Sequence, residues 1–340
     1  MISISISQTE QIKNSLLIMI KPIKYILTFV VCFLFFSCSE ADSLYNEYVI
    51  EIESSINDST NNGQTKKDTL DLSYEKYMSL SPTISSAQGA ACYDKYFVQC
   101  YAGNSAIEIY DLDNKAYLCK INNPHPGIKK THANTVCFGN QRFAPDDFFP
   151  LLYINSGYTS SIGGKAYSFV YVYRLVKKLD SSGNETFNLE YINTITFKGF
   201  NTWTEGILDN DHHRLWVKYE PSDNYNYALF EMPKFEDGDV TINYEDAIID
   251  FSLGVQPFTS SNQGHLYHND NIILVSGISP RTEKLAFIVI NTLTHTRDIT
   301  IDLSEIGLNA EPENVFFYKD QLMIGYRGSI YKFNLYPKNK

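Results

Sequence analysis

Five short phrases in the sequence set one residue directly before a glycine or an asparagine. Gln88 precedes Gly89, Ala133 precedes Asn134 with His132 just ahead, Glu205 precedes Gly206, Gln263 precedes Gly264, and Glu313 precedes Asn314. His265 follows Gly264. Gathered at one place, two carboxylates, two amides and two imidazoles would hold a divalent cation or a polar ligand. Two carboxylates in close approach raise the pKa of one or recruit a cation, which makes Glu205 and Glu313 the acid–base candidates. The competing use of the same groups is structural, hydrogen-bonding neighbouring chain at a crowded axis.

Other chemistry-bearing motifs are weaker. The run DNDHH (Asp209 to His213) resembles a metal cluster by composition. It falls between two apolar runs where a hairpin turn is required, and it lacks the glycine and distant glutamate of a calcium loop. SSIGGK (Ser160 to Lys165) lacks the spacing of a phosphate loop, and no GxSxG or HExxH motif is present. Cys92, Cys100, Cys119 and Cys137 show neither CxxC spacing nor a metal-type cluster, so they are expected as buried thiols. The tyrosines of SGYTSS (Ser156 to Ser161) and EPSDNYNYALF (Glu220 to Phe230) offer aromatic faces for sugars, or serve as ordinary strand tyrosines.

The elements that position these residues repeat. Each phrase leads into a short apolar strand, a polar turn and a second apolar strand, and the Gly/Asn positions are separated by 45, 72, 58 and 50 residues. Units of that length with about four strands each indicate a β-propeller. Glycine and asparagine suit the start of an inner strand, where chains approach closely. The expected fold is all-β, a single propeller over residues 68–340 with five blades, six or seven being the alternatives. A pair of β-sandwiches is the rival architecture. The last unit is one strand short, and DTLDLSYEKYMSL (Asp68 to Leu80) is expected to supply its outer strand, closing the ring and removing an exposed edge. GNQRFAPDDFFP and KLDSSGNETF are expected as hairpin loops, and no amphipathic helix is expected in this region.

The 340 residues carry a formal net charge of −11, with 25 Tyr and 21 Phe against 5 Met and 2 Trp. The acidic balance and the lack of a basic stripe exclude nucleic acid as a partner. Lys21 and Lys24 precede an apolar run, YILTFVVCFLFF, that ends in FFSC with Ser37 before Cys38. A positive n-region followed by an apolar h-region of this length reads as an export signal over residues 1–37, with Met19 as an alternative start. FFSC resembles the lipobox of bacterial lipoproteins, with Phe35 where that family usually has leucine. The resemblance implies that Cys38 is lipidated and anchors the chain to a membrane. Residues 38–67 are rich in Ser, Asn, Asp and Thr and read as a flexible tether. Glu40 and Asp42 behind the cysteine resemble the tag of surface-displayed lipoproteins, implying an outer-membrane or cell-surface location.

Signal, lipobox, tether and propeller repeats together resemble the propeller lipoproteins of the Gram-negative cell envelope. FTSSNQG (Phe258 to Gly264) is similar to a phrase of propeller-type glutaminyl cyclotransferases. Here Ser260, Ser261 and Asn262 interrupt it, so that activity is not carried over.

Three functions are consistent with these residues. The first is a binding protein that takes a glycan, a peptide or an envelope protein at a blade face or channel mouth, without a cofactor or with a divalent cation. Gln88, His132, Glu205, Gln263, His265 and Glu313 would be its ligand-binding residues. The second is an envelope hydrolase, lyase or cyclotransferase using Glu205 and Glu313. The third is a structural subunit of an envelope complex. Enzyme activity is left open at this point, with binding preferred.

Overall fold

The computed structural model describes residues 70–80, 87–101, 106–124, 132–159, 166–200, 202–221, 224–255, 262–277, 285–326 and 328–337. The described residues all belong to one compact unit, residues 66–340. The expected export signal, Cys38 and the tether lie outside the described residues, as do SSIGGK and part of SGYTSS. No helix among the described residues is long and apolar enough to cross a membrane.

The first strand, β1 (Leu70–Ser79), belongs to the last sheet. Blade one is β2 (Ala87–Tyr93), β3 (Tyr96–Tyr101), β4 (Ala106–Asp111) and β5 (Ala116–Asn122). Blade two is β6 (Val136–Phe138), β7 (Leu152–Thr159), β8 (Ala166–Leu179) and β9 (Glu185–Lys198). Blade three takes β10 (Thr204–Asp209), β11 (Arg214–Tyr219) and β12 (Asn224–Glu231). Its connection then sends β13 (Val240–Asn243) across to blade two before β14 (Ile249–Val255) completes it. Blade four is β15 (Asn262–His268), β16 (Asn271–Ser276), β17 (Ala286–Asn291) and β18 (Thr296–Asp302). Blade five is β19 (Pro312–Tyr318), β20 (Gln321–Tyr326), β21 (Ser329–Pro337) and, outermost, β1. The architecture is a five-bladed propeller closed by its N-terminal strand, as the repeat predicts.

The burial pattern follows from stacking sheets around an axis. A middle strand has a neighbouring blade on each face, so β3 and β4 are buried at every position and lose the usual alternation. The outer strand β5 is only partly covered. Five hydrophobic clusters fill the five spaces between blades. One joins Ile107 and Ile109 to Leu152 and Tyr173, the next joins Val172 to Val217, a third joins Tyr227 to Leu274, a fourth joins Phe287 to Ile324, and a fifth joins Phe97 to Phe316. The core is thus a ring of five interfaces.

One element departs from four strands per blade. β13 pairs parallel to β9, Val240 opposite Ile195, and widens blade two to five strands. Ile242 anchors it by packing into the cluster between blades two and three. The DNDHH run forms the turn between β10 and β11, with His213 at φ 55°. GNQRFAPDDFFP lies within the irregular connection from β6 to β7, and KLDSSGNETF spans the turn from β8 to β9. Tight hairpins elsewhere use paired positive φ, as at Asn269–Asp270 and Lys319–Asp320, the geometry that matches strand twist in a two-residue turn.

Candidate functional site

The phrases found in the sequence begin the inner strands of blades one, three, four and five and stand just ahead of β6 in blade two, and a physical reason for Gly89 and Gly264 is visible. In blades one, four and five the register slips at this point, between Ala87 and Ala90, Asn262 and His265, and Pro312 and Asn314. The slip pushes the backbone toward the next inner strand. A Cβ on Gly89 would sit 2.3 Å from the carbonyl oxygen of Ala133, and one on Gly264 would sit 2.5 Å from Cα of Asn314. The Gly89 amide also donates to that Ala133 carbonyl at 2.8 Å.

Side chains at these positions link each blade to the next around the axis. His132 Nδ1 meets Gln88 Oε1 at 3.1 Å, joining blades one and two. Asn134 donates to Glu205 Oε1 at 3.0 Å, joining two and three. His265 Nδ1 lies 3.0 Å from Glu205 Oε2, joining three and four. Gln263 donates to Glu311 Oε1 at 2.7 Å, joining four and five. Asn314 donates to the Gln88 carbonyl at 3.1 Å and closes the circle. His132 is exposed, whereas Gln88, Glu205, Gln263, His265 and Glu313 are all buried.

Glu205 and His265 form the centre of this arrangement. Burial alone pushes the Glu205 carboxyl upward. The His265 imidazole, the Lys218 ammonium opposite it on β11, and hydrogen bonds from His265 and Trp203 outweigh that and hold it at about 2. Glu205 is therefore a carboxylate at neutral pH. His265 also reaches Thr135 Oγ1 at 3.2 Å, a residue of blade two. Blades two and four are not neighbours, so the imidazole crosses the axis. With two oxygen atoms facing Nδ1, the ring proton belongs there. Nε2 is buried and makes no hydrogen bond among the described residues. Glu313 sits on blade five, two blades from Glu205, and is not among Glu205's hydrogen-bond or ion-pair partners.

Several residues of the site are not among those the sequence singles out. Trp203, half-buried at the start of β10, donates to Glu205 Oε1 at 3.1 Å. Gln99 on β3 donates to the carbonyls of Gln88 at 2.7 Å and Gly89 at 3.2 Å. Asn155 on β7 donates to the Gly206 carbonyl at 2.7 Å and accepts from the Gly206 amide at 2.8 Å. Lys218 is paired with Glu220 and lies over the Tyr225 ring. A signal for two of these was present: Gln99 and Lys218 are polar residues inside the largely apolar second strands YFVQCY and RLWVKY, whereas Asn155 stands in the mixed strand LYINSGYT.

Among the described residues no group of three or more His, Cys, Asp or Glu is placed to hold a metal ion. Cys92, Cys100, Cys119 and Cys137 are free thiols, and burial raises the pKa of each. Tyr225 and Tyr227 are buried in β12 and offer no face to a sugar.

No family model matches the sequence, and no curated protein matches it. Among solved structures the chain is similar to three of low identity. Glutaminyl cyclase of Myxococcus xanthus is 9% identical with a TM-score of 0.47, over 81% of this chain and 100% of that one. Hydrazine synthase of Kuenenia stuttgartiensis is 12% identical with a TM-score of 0.38, over 71% of this chain and 62% of that one. Virginiamycin B lyase of Staphylococcus aureus is 12% identical with a TM-score of 0.37, over 78% and 99%. Identities this low leave the chemistry of this chain to its own residues.

Proposed function

We propose that this chain is a lipid-anchored propeller of a bacterial cell envelope that binds a hydroxyl-bearing ligand, a glycan by class, at the strand-start end of its axis. The observation that supports this is His265: Nδ1 meets Thr135 Oγ1 and lies 3.0 Å from Glu205 Oε2, while Nε2, like Glu205 Oε2, is buried without a hydrogen bond among the described residues. A buried polar atom in that condition calls for an occupant. A hydroxyl group suits it in either ring charge state, since it both donates and accepts. Trp203, adjacent through Glu205, adds an aromatic face of the kind that packs on sugar rings. The anchor rests on the FFSC motif and Cys38.

A second reading makes the same pair catalytic. A carboxylate that orients an imidazole through Nδ1 leaves Nε2 to take a proton from a substrate hydroxyl. That reading replaces the two-carboxylate scheme with Glu205 as positioning residue and His265 as base.

A thermal-shift screen of the purified protein against oligosaccharides, short peptides and divalent cations tests the binding reading. An oligosaccharide should raise the melting temperature of the wild type and lose that effect in His265→Gln. Stabilisation by peptides alone, equal stabilisation of both proteins, or no response to any probe would overturn it. Loss of membrane association in Cys38→Ala tests the anchor; unchanged association removes it.

A further inference from the structure

The chain between β12 and β14, residues 232–248, does not stay in its own blade. It leaves blade three after Glu231, forms β13 on the outer edge of β9 in blade two, and returns to begin β14 at Ile249. Polar groups hold it on the outward run. Asn193 donates to the Phe235 carbonyl at 2.9 Å, and Asp239 Oδ1 accepts from the Thr194 amide at 2.8 Å and the Tyr191 hydroxyl at 3.2 Å. Val240 to Asn243 then pair with Ile195 to Lys198. On the return, the Tyr244 hydroxyl donates to Asp250 Oδ2 at 2.6 Å and the Tyr219 hydroxyl donates to Oδ1 at 2.7 Å. One carboxylate of β14 thus ties the segment back to β11. The Tyr244 ring also meets Phe200 edge-on, with centroids 5.4 Å apart. Met232 and Ile242 are buried in the cluster between the two blades, and Phe235, Tyr244 and Ala247 pack against it.

Blades two and three are thereby joined at three distances from the axis. Near the axis Asn134 donates to Glu205, and Asn155 bonds both main-chain groups of Gly206. The apolar cluster fills the middle, and β13 closes the rim. Other interfaces carry side-chain bonds away from the axis, such as Tyr96 to Glu185 between blades one and two. Here a strand ladder is added, whose bonds form and break as a cooperative set. We propose that residues 232–248 are a strap that makes blades two and three a single opening unit, so that the ring parts at other interfaces first. Such a strap keeps Asn134 on Glu205 while the rest of the ring opens and closes.

Hydrogen exchange of the whole protein over a series of low urea concentrations, read on peptides from each blade, tests this. Peptides of β8 and β11 should share one opening, with protection factors equal within about twofold and the same urea dependence, and should be better protected than those of β16. Ile242→Ala should separate the β8 and β11 values by roughly tenfold or more, the scale of deleting a buried aliphatic group. Tyr244→Phe keeps the ring and loses only the bond to Asp250, so it should separate them by less; it decides the matter if Ile242→Ala does not fold. Ile299→Ala, a loss of the same group beside the cluster between blades four and five, should leave β8 and β11 equal to each other. Unequal protection of β8 and β11 in the wild type, or one value for all five blades, would overturn the proposal. So would no separation in the strap variants, or the same separation in Ile299→Ala.

Discussion

Nδ1 of His265 lies 3.0 Å from Oε2 of Glu205, and the two side chains are almost wholly sealed from solvent although they belong to different blades. A contact of this kind is costly to form and more costly to break, because removing one partner leaves the other buried and uncompensated. Lys218, on the strand next to Glu205, supplies a positive charge. The polar arrangement at the axis therefore ties blades three and four together and leaves one imidazole nitrogen buried without a hydrogen bond among the described residues.

Glu205→Gln should lower stability by about 3 kcal/mol at neutral pH, the typical cost of breaking a buried pair. The pH dependence has a definite sign. The folded pKa of Glu205, about 2, lies below its ordinary value of 4.5. The stabilisation is thus fully present above pH 4.5 and is lost as the pH falls toward 2. Urea unfolding from pH 7 to pH 2 should show the wild type and Glu205→Gln converging at the acid end. Parallel curves would refute the assignment.

Gly89→Ala and Gly264→Ala should each destabilise the protein by about 2 kcal/mol, the usual scale for forcing a methyl into a filled space. The obstruction in both cases is main chain of the next blade, which cannot swing aside as a side-chain tip can. Gly206→Ala should be milder, since the nearest atoms there are side-chain methyls and a ring edge at 3.0 to 3.3 Å. The check is the order of denaturation midpoints among the three variants.

This difference bears on what the sequence could disclose. The repeated Gly/Asn position was legible as a recurring residue type; backbone crowding from the next blade accounts for it at Gly89 and Gly264, whereas Gly206 faces side chains. The strand β1 was legible for a similar reason, as an alternating segment left over when the last unit was one strand short. β13 was hidden because its partner is β9 of the preceding blade, a pairing that no local pattern encodes. The contact between Glu205 and His265 was hidden in the same way. The aligned positions suggested a carboxylate pair, Glu205 with Glu313, whereas the side chain that reaches Glu205 stands one residue past the repeat position.

Asn155→Ala should cost about 2 kcal/mol. Its amide donates to the carbonyl and accepts from the N–H of Gly206, and also donates to the Thr135 carbonyl at 3.3 Å. Removing it leaves the Gly206 amide and carbonyl without this partner, while the Thr135 carbonyl keeps the Asn155 main-chain N–H at 2.9 Å. Asn155→Asp should be worse, because a carboxylate cannot donate to the Gly206 carbonyl and would bury a charge. Hydrogen exchange at the Gly206 amide provides the check, with faster exchange expected in both variants.

The outermost strand of blade five should decide whether the propeller is soluble. β1 pairs with β21 from Leu70 opposite Pro337 to Ser79 opposite Ser329, with one irregularity between Lys76 and Met78. Met78 and Leu80 pack into the cluster between blades five and one, and the Leu80 amide donates to the Gly328 carbonyl at 2.9 Å. A chain beginning at Ala87 would lack all of this. It would leave β21 as an open edge and uncover Ile330, Phe316 and Met323 beside it. A chain beginning at Asp68 keeps the whole strand. Size-exclusion chromatography should find the longer chain monodisperse and the shorter one aggregated or unfolded. An added peptide covering residues 68–80 should restore solubility to the shorter chain by pairing with β21; a monodisperse shorter chain without the peptide would show that the N-terminal strand is dispensable.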